Sequence, residues 1–137
     1  MNRLHGQIVA ICNAEHLVLV DVAVGLDCLS VVLLASIDGE PLLRVGQQVD
    51  LCIKETDLVM AKDLQGCISL HNRLPVRVEE IHRGIILSEI ELDYRGQVLR
   101  SVITSRSAER LDLRPGDCLE VLIKANEVAI MEDSYGF

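Results

Sequence analysis

The chain has 137 residues, half of them hydrophobic, and a formal net charge of −8. A single Phe, two Tyr and no Trp exclude a stacking platform for single-stranded nucleic acid, and the negative charge opposes contact with a phosphate backbone. Abundant branched aliphatic residues favour a small β-barrel instead. We therefore expect no nucleic-acid partner.

Nothing in the sequence predicts secretion, a membrane span or a metal site. The segment 1–6 lacks the apolar run of a signal peptide, and no stretch approaches about twenty apolar residues. The cysteines are odd in number without C-x-x-C spacing, which predicts small buried thiols in a reducing compartment rather than disulfides or a zinc site. They are Cys12, Cys28, Cys52, Cys67 and Cys118. We expect a cytoplasmic protein with no membrane partner and no directly ligated metal cation.

An internal repeat at a constant offset of 70 residues organises the chain. The matching pairs include Asn2 and Asn72, Leu4 and Leu74, Leu29 and Leu99, Gly46 and Gly116, Ile53 and Ile123, and Lys54 and Lys124. Because the register holds without a gap, the sequence predicts two copies of one domain. We call 1–64 the first unit and 70–133 the second unit.

Period-two alternation predicts the strands of both units. In the first unit they are expected at 16–24, 28–34, 49–54 and 58–60, and in the second at 74–81, 86–93, 98–104, 119–124 and 128–130. A short helical turn is predicted at 105–111, whereas 38–41 reads as a plain loop. The five short strands of the second unit, whose outline the first unit repeats, with at most one short helical turn per unit, predict an all-β fold of two OB-like barrels.

Hydroxyl groups cluster where the predicted helical turn begins. Thr104 and Ser107 stand beside unpaired backbone N–H groups, and the following strand ends in Lys124, a combination suited to a small oxyanion. Each residue also has a structural explanation, since Thr104 and Ser107 cap turns, Lys124 is typical of a solvated strand end and Asn126 is a common turn former. No nucleophile–base pair or paired carboxylates are evident, so we expect no enzyme.

With these residues laid out, the chain resembles the tandem Mop proteins, the di-domain molbindins of the TOBE superfamily. The resemblance is strong over 102–116 and 121–126 and weaker in the first unit. It implies two tandem five-stranded Mop barrels that bind molybdate or tungstate without a cofactor. It also implies a homo-oligomer, with a trimer as the first expectation.

The resemblance also implies the ligand residues. The family's anion-ligand positions hold Ser69, Thr104, Ser107, Lys124, Ala125 and Asn126. His71 replaces an Arg of the family pattern, which removes a permanent charge suited to an oxyanion. Asn126 replaces a Ser but keeps a donor through its amide.

The first unit departs further from the family. Leu34 and Ile37 occupy the positions of Thr104 and Ser107, and Glu55 replaces the Ala. Lys54 and Thr56 remain as secondary ligand candidates, together with His71 of the second unit. Since family sites are shared between Mop units, Thr104 and Ser107 are completed either by Lys54 and Thr56 or by Lys124 of an equivalent unit.

Two functions are consistent with these features. The first is molybdate or tungstate binding for storage or homeostasis, by reversible non-covalent capture. The alternative is a regulatory or assembly module that has lost ligand binding, favoured by the degenerate first unit, His71 and Asn126. Such a module would act through a protein partner such as a transporter ATPase or a molybdate-responsive regulator.

Overall fold

The structure, a computed structural model, describes residues 1–34 and 43–132. The first unit contains β1 (Asn2–Ala14), β2 (Leu17–Val24), β3 (Asp27–Leu34), β4 (Gln48–Ile53), a first 3₁₀ turn (Glu55–Asp57) and β5 (Val59–Ala61). The second contains β6 (Asn72–Arg83), β7 (Leu87–Tyr94), β8 (Gln97–Thr104), α1 (Ser105–Arg110), β9 (Cys118–Ile123), a second 3₁₀ turn (Ala125–Glu127) and β10 (Ala129–Glu132). Each strand of the second unit begins 70 residues after its counterpart, as β6 at Asn72 follows β1 at Asn2.

The expected all-β fold, with two five-stranded curled sheets and one short helix, is confirmed. The predicted loop at 38–41 lies outside the described residues. The two 3₁₀ turns were not predicted from the sequence. None of the helices in the described ranges has the length and apolar character needed to cross a membrane.

The two units exchange their closing strands. The first sheet has the order β10-β4-β1-β2-β3 and the second the order β5-β9-β6-β7-β8. Thus β5, from the first unit, pairs antiparallel with β9, where Met60 lies opposite Val121. In the same way β10 pairs with β4, where Ile130 lies opposite Leu51. The sequence repeats therefore do not coincide with the sheets, and each sheet is completed by the other unit.

Alternation along the strands places one apolar face of each sheet inside. In β1, every second residue from Asn2 to Ile8 is buried, and β6 repeats the pattern from Asn72 to Val78. The register then shifts between Ile8 and Ala10 and between Val78 and Glu80, bulges of the kind that bend strands into a curled sheet. Side chains from both units form one continuous aliphatic core.

Two buried asparagines hold the units together in equivalent ways. The Asn2 side chain donates to the Arg100 carbonyl and accepts from its N–H, both at 2.7 Å. Asn72 does the same to Ser30, at 2.8 and 2.7 Å. Ser30 and Arg100 lie on β3 and β8, the outer strands of the two sheets. Each asparagine thus satisfies backbone groups of the other unit's edge strand.

The expectation that the cysteines are buried is wrong for four of the five. Only Cys52, in the central strand β4, is buried. The other four lie at exposed strand or loop positions, where composition alone does not reveal burial. All five thiols are free.

Candidate functional site

Thr104 and Ser107 meet where β8 passes into α1. The Thr104 hydroxyl oxygen accepts from the Ser107 N–H at 3.1 Å, so Thr104 caps the helix as one sequence interpretation predicted. The same hydroxyl donates to Ser107 Oγ at 2.9 Å. Ser107 Oγ is the acceptor in that bond, so its own proton stays available for a ligand. Capping and ligand binding are therefore compatible.

The two hydroxyls open onto a cleft of about 460 Å³ that both units line. Thr56, on the first 3₁₀ turn, contributes a third hydroxyl. The remaining wall is apolar except for Arg110, and it consists of Leu58, Val59, Met60, Leu87, Val102, Ile103 and Leu111. We call this feature the Thr104 cleft. It offers the Ser107 and Thr56 hydroxyls as donors on a largely apolar wall, with the Thr104 hydroxyl holding Ser107 in place.

Contacts between units hold Thr56 beside Thr104. The 3₁₀ turn packs against β8, and the fully buried Ser101 donates from β8 to the Leu58 carbonyl just after the turn, at 2.6 Å. Asn2 fixes the neighbouring residue, Arg100, on the same strand. The first unit therefore delivers its 3₁₀ turn to the second unit's hydroxyls because its closing strand crosses over.

Lys62 anchors the far end of α1. Its ammonium group donates to the carbonyls of Leu111 and Asp112 at 3.1 and 3.0 Å, and to the Asp117 carboxylate at 3.1 Å. Hydrogen bonding by the Arg114 N–H, followed by that of Lys62, lowers the pKa of Asp117. Lys62 follows β5, so the exchanged strand also fixes the helix that carries Ser107.

The carboxylate of Glu55 is engaged elsewhere. It pairs with the Met1 ammonium group, and this hydrogen bond is the main reason why the pKa of Glu55 is lowered. Glu55 does not line the Thr104 cleft. Lys54 precedes it and is exposed, without an ion pair among the described residues.

The other predicted ligands lie outside that cleft, in two segments that flank the end of the β6–β9 ladder and that we together call the Lys124 corner: Ser69 and His71 before β6, and Lys124, Ala125 and Asn126 after β9. The antiparallel pairing of β6 with β9 ends at Asn72 and Ile123. His71 and Lys124 are the next residues beyond this pair, one on each strand's extension. The second 3₁₀ turn carries Ala125 and Asn126 and packs against β3. Except for the half-buried Ala125, these residues are exposed.

Opposite the Lys124 corner, the described part of β3 ends at Leu34 and carries no hydroxyl at its end. Leu34 stands where β8 has Thr104, and its side chain is 82% exposed. Ile37, the counterpart of Ser107, lies outside the described residues. Within one chain the structure therefore brings Thr104 and Ser107 together with Thr56, and it does not bring Lys124 into their cleft.

One group of possible cation ligands occurs in the described part of the chain. Ligand atoms of Glu80, His82 and Glu91 lie within 4.8 Å of one another on the outer face of the second sheet. Arg100 already pairs with Glu91 at 3.1 Å and with Glu89 at 3.3 Å. The geometry is that of a surface ion-pair network.

Comparisons with known proteins agree with this architecture. The TOBE domain family matches residues 68–130. The molybdenum import ATP-binding protein ModC of Brucella abortus is 36% identical over 87 residues, which cover 63% of this chain and 24% of that protein. The chain thus spans about a quarter of the length of the curated relatives it matches.

Two solved structures are also similar. The cytoplasmic molybdate-binding protein ModG, solved with molybdate bound, matches with a TM-score of 0.90 and 24% identity over 96% of both chains. A molybdate-binding protein from Sporomusa ovata is 39% identical, with a TM-score of 0.48, over 49% of this chain and all of that one.

The fold and the domain match define an all-β protein built from tandem Mop units. Residues 68–130 match the TOBE domain family, and the chain as a whole has the fold of ModG, in agreement with the sequence resemblance. The TOBE match covers the second unit, where the sequence resemblance is stronger.

Proposed function

We propose that this chain is a cytoplasmic protein that binds molybdate or tungstate for storage or homeostasis. The observation that supports this most is the Thr104 cleft, in which Thr104 and Ser107 meet Thr56 of the other unit. The similar protein ModG is described as a cytoplasmic molybdate-binding protein. Binding would be reversible and non-covalent, so neither a catalyst nor a cofactor is required.

Neutral donors suit this task in an acidic protein. Molybdate carries four oxygen atoms that accept hydrogen bonds, and hydroxyl or N–H groups can replace its water shell. The overall charge of −8 acts over long range and is screened by salt, whereas donors act at contact distance. In the Thr104 cleft we assign ligand roles to Thr104, Ser107 and Thr56, with Lys54 as the nearby cation.

The Lys124 corner is the second half-site in this proposal. Lys124, Ala125 and Asn126, with Ser69 and His71, meet no hydroxyl at the end of β3 within the described residues. We propose that these residues contribute where another subunit brings its own Thr104 cleft close.

A homo-oligomer, with a trimer as the first candidate, is part of the proposal. Three consecutive residues, Ile85, Ile86 and Leu87, are 99%, 75% and 53% exposed. Leu87 also lines the Thr104 cleft. An apolar patch of this kind at the mouth of a site is typical of a subunit interface. Light scattering after size-exclusion chromatography measures the mass directly.

The alternative function is a module that has kept the fold and lost the ligand. It is favoured by Leu34 at the position of Thr104 and by the match to a quarter of a transporter ATP-binding protein. Such a module would act on a protein partner and would not take up oxyanion.

Isothermal titration of sulfate-free protein with molybdate, tungstate and sulfate tests the proposal. We expect affinity of about micromolar or tighter for molybdate and tungstate and much weaker binding of sulfate. One anion per chain would indicate the Thr104 cleft alone. The absence of heat and of thermal stabilisation at millimolar anion would overturn the proposal and favour the alternative.

A further inference from the structure

Arg110 is a cationic side chain on the wall of the Thr104 cleft that the sequence patterns did not single out. It lies three residues after Ser107 on α1, a spacing that puts both residues on one face of the helix. Arg110 thus lines the same cleft as the hydroxyl-bearing residues Thr104, Ser107 and Thr56.

The guanidinium group of Arg110 is available for a ligand. Within the described residues it makes no ion pair, although the protein is rich in carboxylates. Most other arginines are paired, as Arg73 is with Glu120 and Arg95 with Asp27 at 3.2 Å. A cation that lines a cleft of hydroxyls without a carboxylate neighbour presents its donors to whatever enters.

The two units differ at this position. Seventy residues before Arg110 the sequence has Glu40, which lies outside the described residues. The cation therefore belongs to the half of the molecule that keeps the hydroxyl pair. His71 and Met1, which occupy the equivalent leading positions of the two units, supply no guanidinium.

We infer that Arg110 is a ligand-binding residue of the Thr104 cleft and pairs through its guanidinium fork with an oxygen edge of a dianionic tetrahedral oxyanion. This inference rests on the proposed oxyanion function. Guanidinium groups match the oxygen spacing of such anions and cannot be deprotonated. Arg110 supplies a permanent positive charge, and the hydroxyl groups orient the bound anion through directional hydrogen bonds.

The test compares three purified full-length variants by molybdate titration at low and moderate salt. Arg110→Gln removes the charge, Arg110→Lys keeps the charge without the fork, and Arg106→Gln removes an exposed charge from the same helix outside the cleft wall. We expect Arg110→Gln to raise Kd about tenfold or more, Arg110→Lys to lie between it and wild type, and Arg106→Gln to change Kd less than about twofold.

The salt dependence gives an independent readout. Wild-type affinity falls as salt rises, and in Arg110→Gln this fall is shallower because the ion pair is gone. Urea unfolding of each variant checks that the fold is intact. If wild type binds and Arg110→Gln matches Arg106→Gln in Kd and salt dependence, the inference is wrong while the proposed function stands. If wild type does not bind molybdate, both fail.

Discussion

The ends of β3 and β8 occupy equivalent places in the two units, but they carry different side chains. At β8, Thr104 caps α1 and faces Thr56 across a cleft. At β3 the equivalent residue is Leu34, exposed and without a hydroxyl. The contacts that Asn2 and Asn72 make with the opposite unit are the same on both sides. The asparagine contacts that join the units therefore lie on residues other than the hydroxyls, so the hydroxyls can be lost while these contacts are kept.

The largest effect on stability is expected when a residue of β1 is replaced by its counterpart in β6. Gly6 corresponds to Val76, and a Cβ at Gly6 would lie 2.6 Å from the Ala23 carbonyl oxygen and from Val22 Cγ1. We expect Gly6→Val to lower the free energy of unfolding by about 3 kcal/mol through overpacking. Urea unfolding measures this, with Ala10→Val at an exposed position of the same strand as the control. Equal stability of the two variants would mean that β1 moves to accommodate the side chain.

The asparagine contacts test how far the symmetry of the units extends. Asn2→Ala and Asn72→Ala each remove two hydrogen bonds to an edge strand, and we expect each to cost about 2 kcal/mol. Asn126→Ala, at an exposed position, serves as the control in the same urea experiment. A cost at only one of the two positions would show that the two edges are not held equivalently.

Substitutions at the equivalent ends of β8 and β3 test whether only the end of β8 binds the ligand. Thr104→Val removes a hydroxyl at constant shape, and we expect it to weaken molybdate binding about tenfold and to cost about 1 kcal/mol of stability as a lost cap. Leu34→Val changes the counterpart position and should leave Kd unaltered. Unchanged affinity in Thr104→Val would remove this hydroxyl from the site.

A contact between the units that has no symmetric counterpart makes the stability of the fold depend on pH in the alkaline range. Tyr94 donates to Asp27 at 2.5 Å, and burial, then this bond, raises the pKa of Tyr94 to about 12. In the unfolded chain the group titrates near its ordinary value of about 10. Its contribution to stability is therefore complete below pH 10 and is lost as the pH rises through 12.

Tyr94→Phe isolates this group. We expect the variant to lose about 1 kcal/mol at neutral pH, and its difference from wild type to shrink between pH 10 and 12 in urea titrations. A difference that stays constant over that range would show that Tyr94 does not titrate with a raised pKa.

The smallest effect on ligand binding is expected from the two lysines at equivalent positions, Lys54 and Lys124. Lys54 precedes the 3₁₀ turn that reaches the Thr104 cleft, whereas Lys124 precedes the turn that packs against β3. We expect Lys54→Ala to weaken molybdate binding about threefold, and Lys124→Ala to do so by less, because exposed charges are screened. Both variants should fold normally. The opposite order would mean that Lys124 of another subunit contributes more to the Thr104 cleft than Lys54 does.

The sequence by itself determined the repeat, the strands and the capped turn at Thr104, because each depends on local alternation, glycine placement or side-chain capping. The recurrence of Asn2 as Asn72 was visible too, but its meaning was not, since both partners lie in the opposite unit. The roles of Lys62 and Ser101 left no local signal either.

Only the tertiary structure decided which unit each closing strand completes. The alternation in β5 and β10 specifies a buried face and not a partner, and either fourth strand could offer the same backbone hydrogen bonds. The exchange brings Thr56 to Thr104 and packs the second 3₁₀ turn, which Lys124 precedes, against β3. It also makes Arg110 part of the wall of a cleft that both units line. The candidate site is thus a product of strand pairing, which is long-range and has no trace in local sequence.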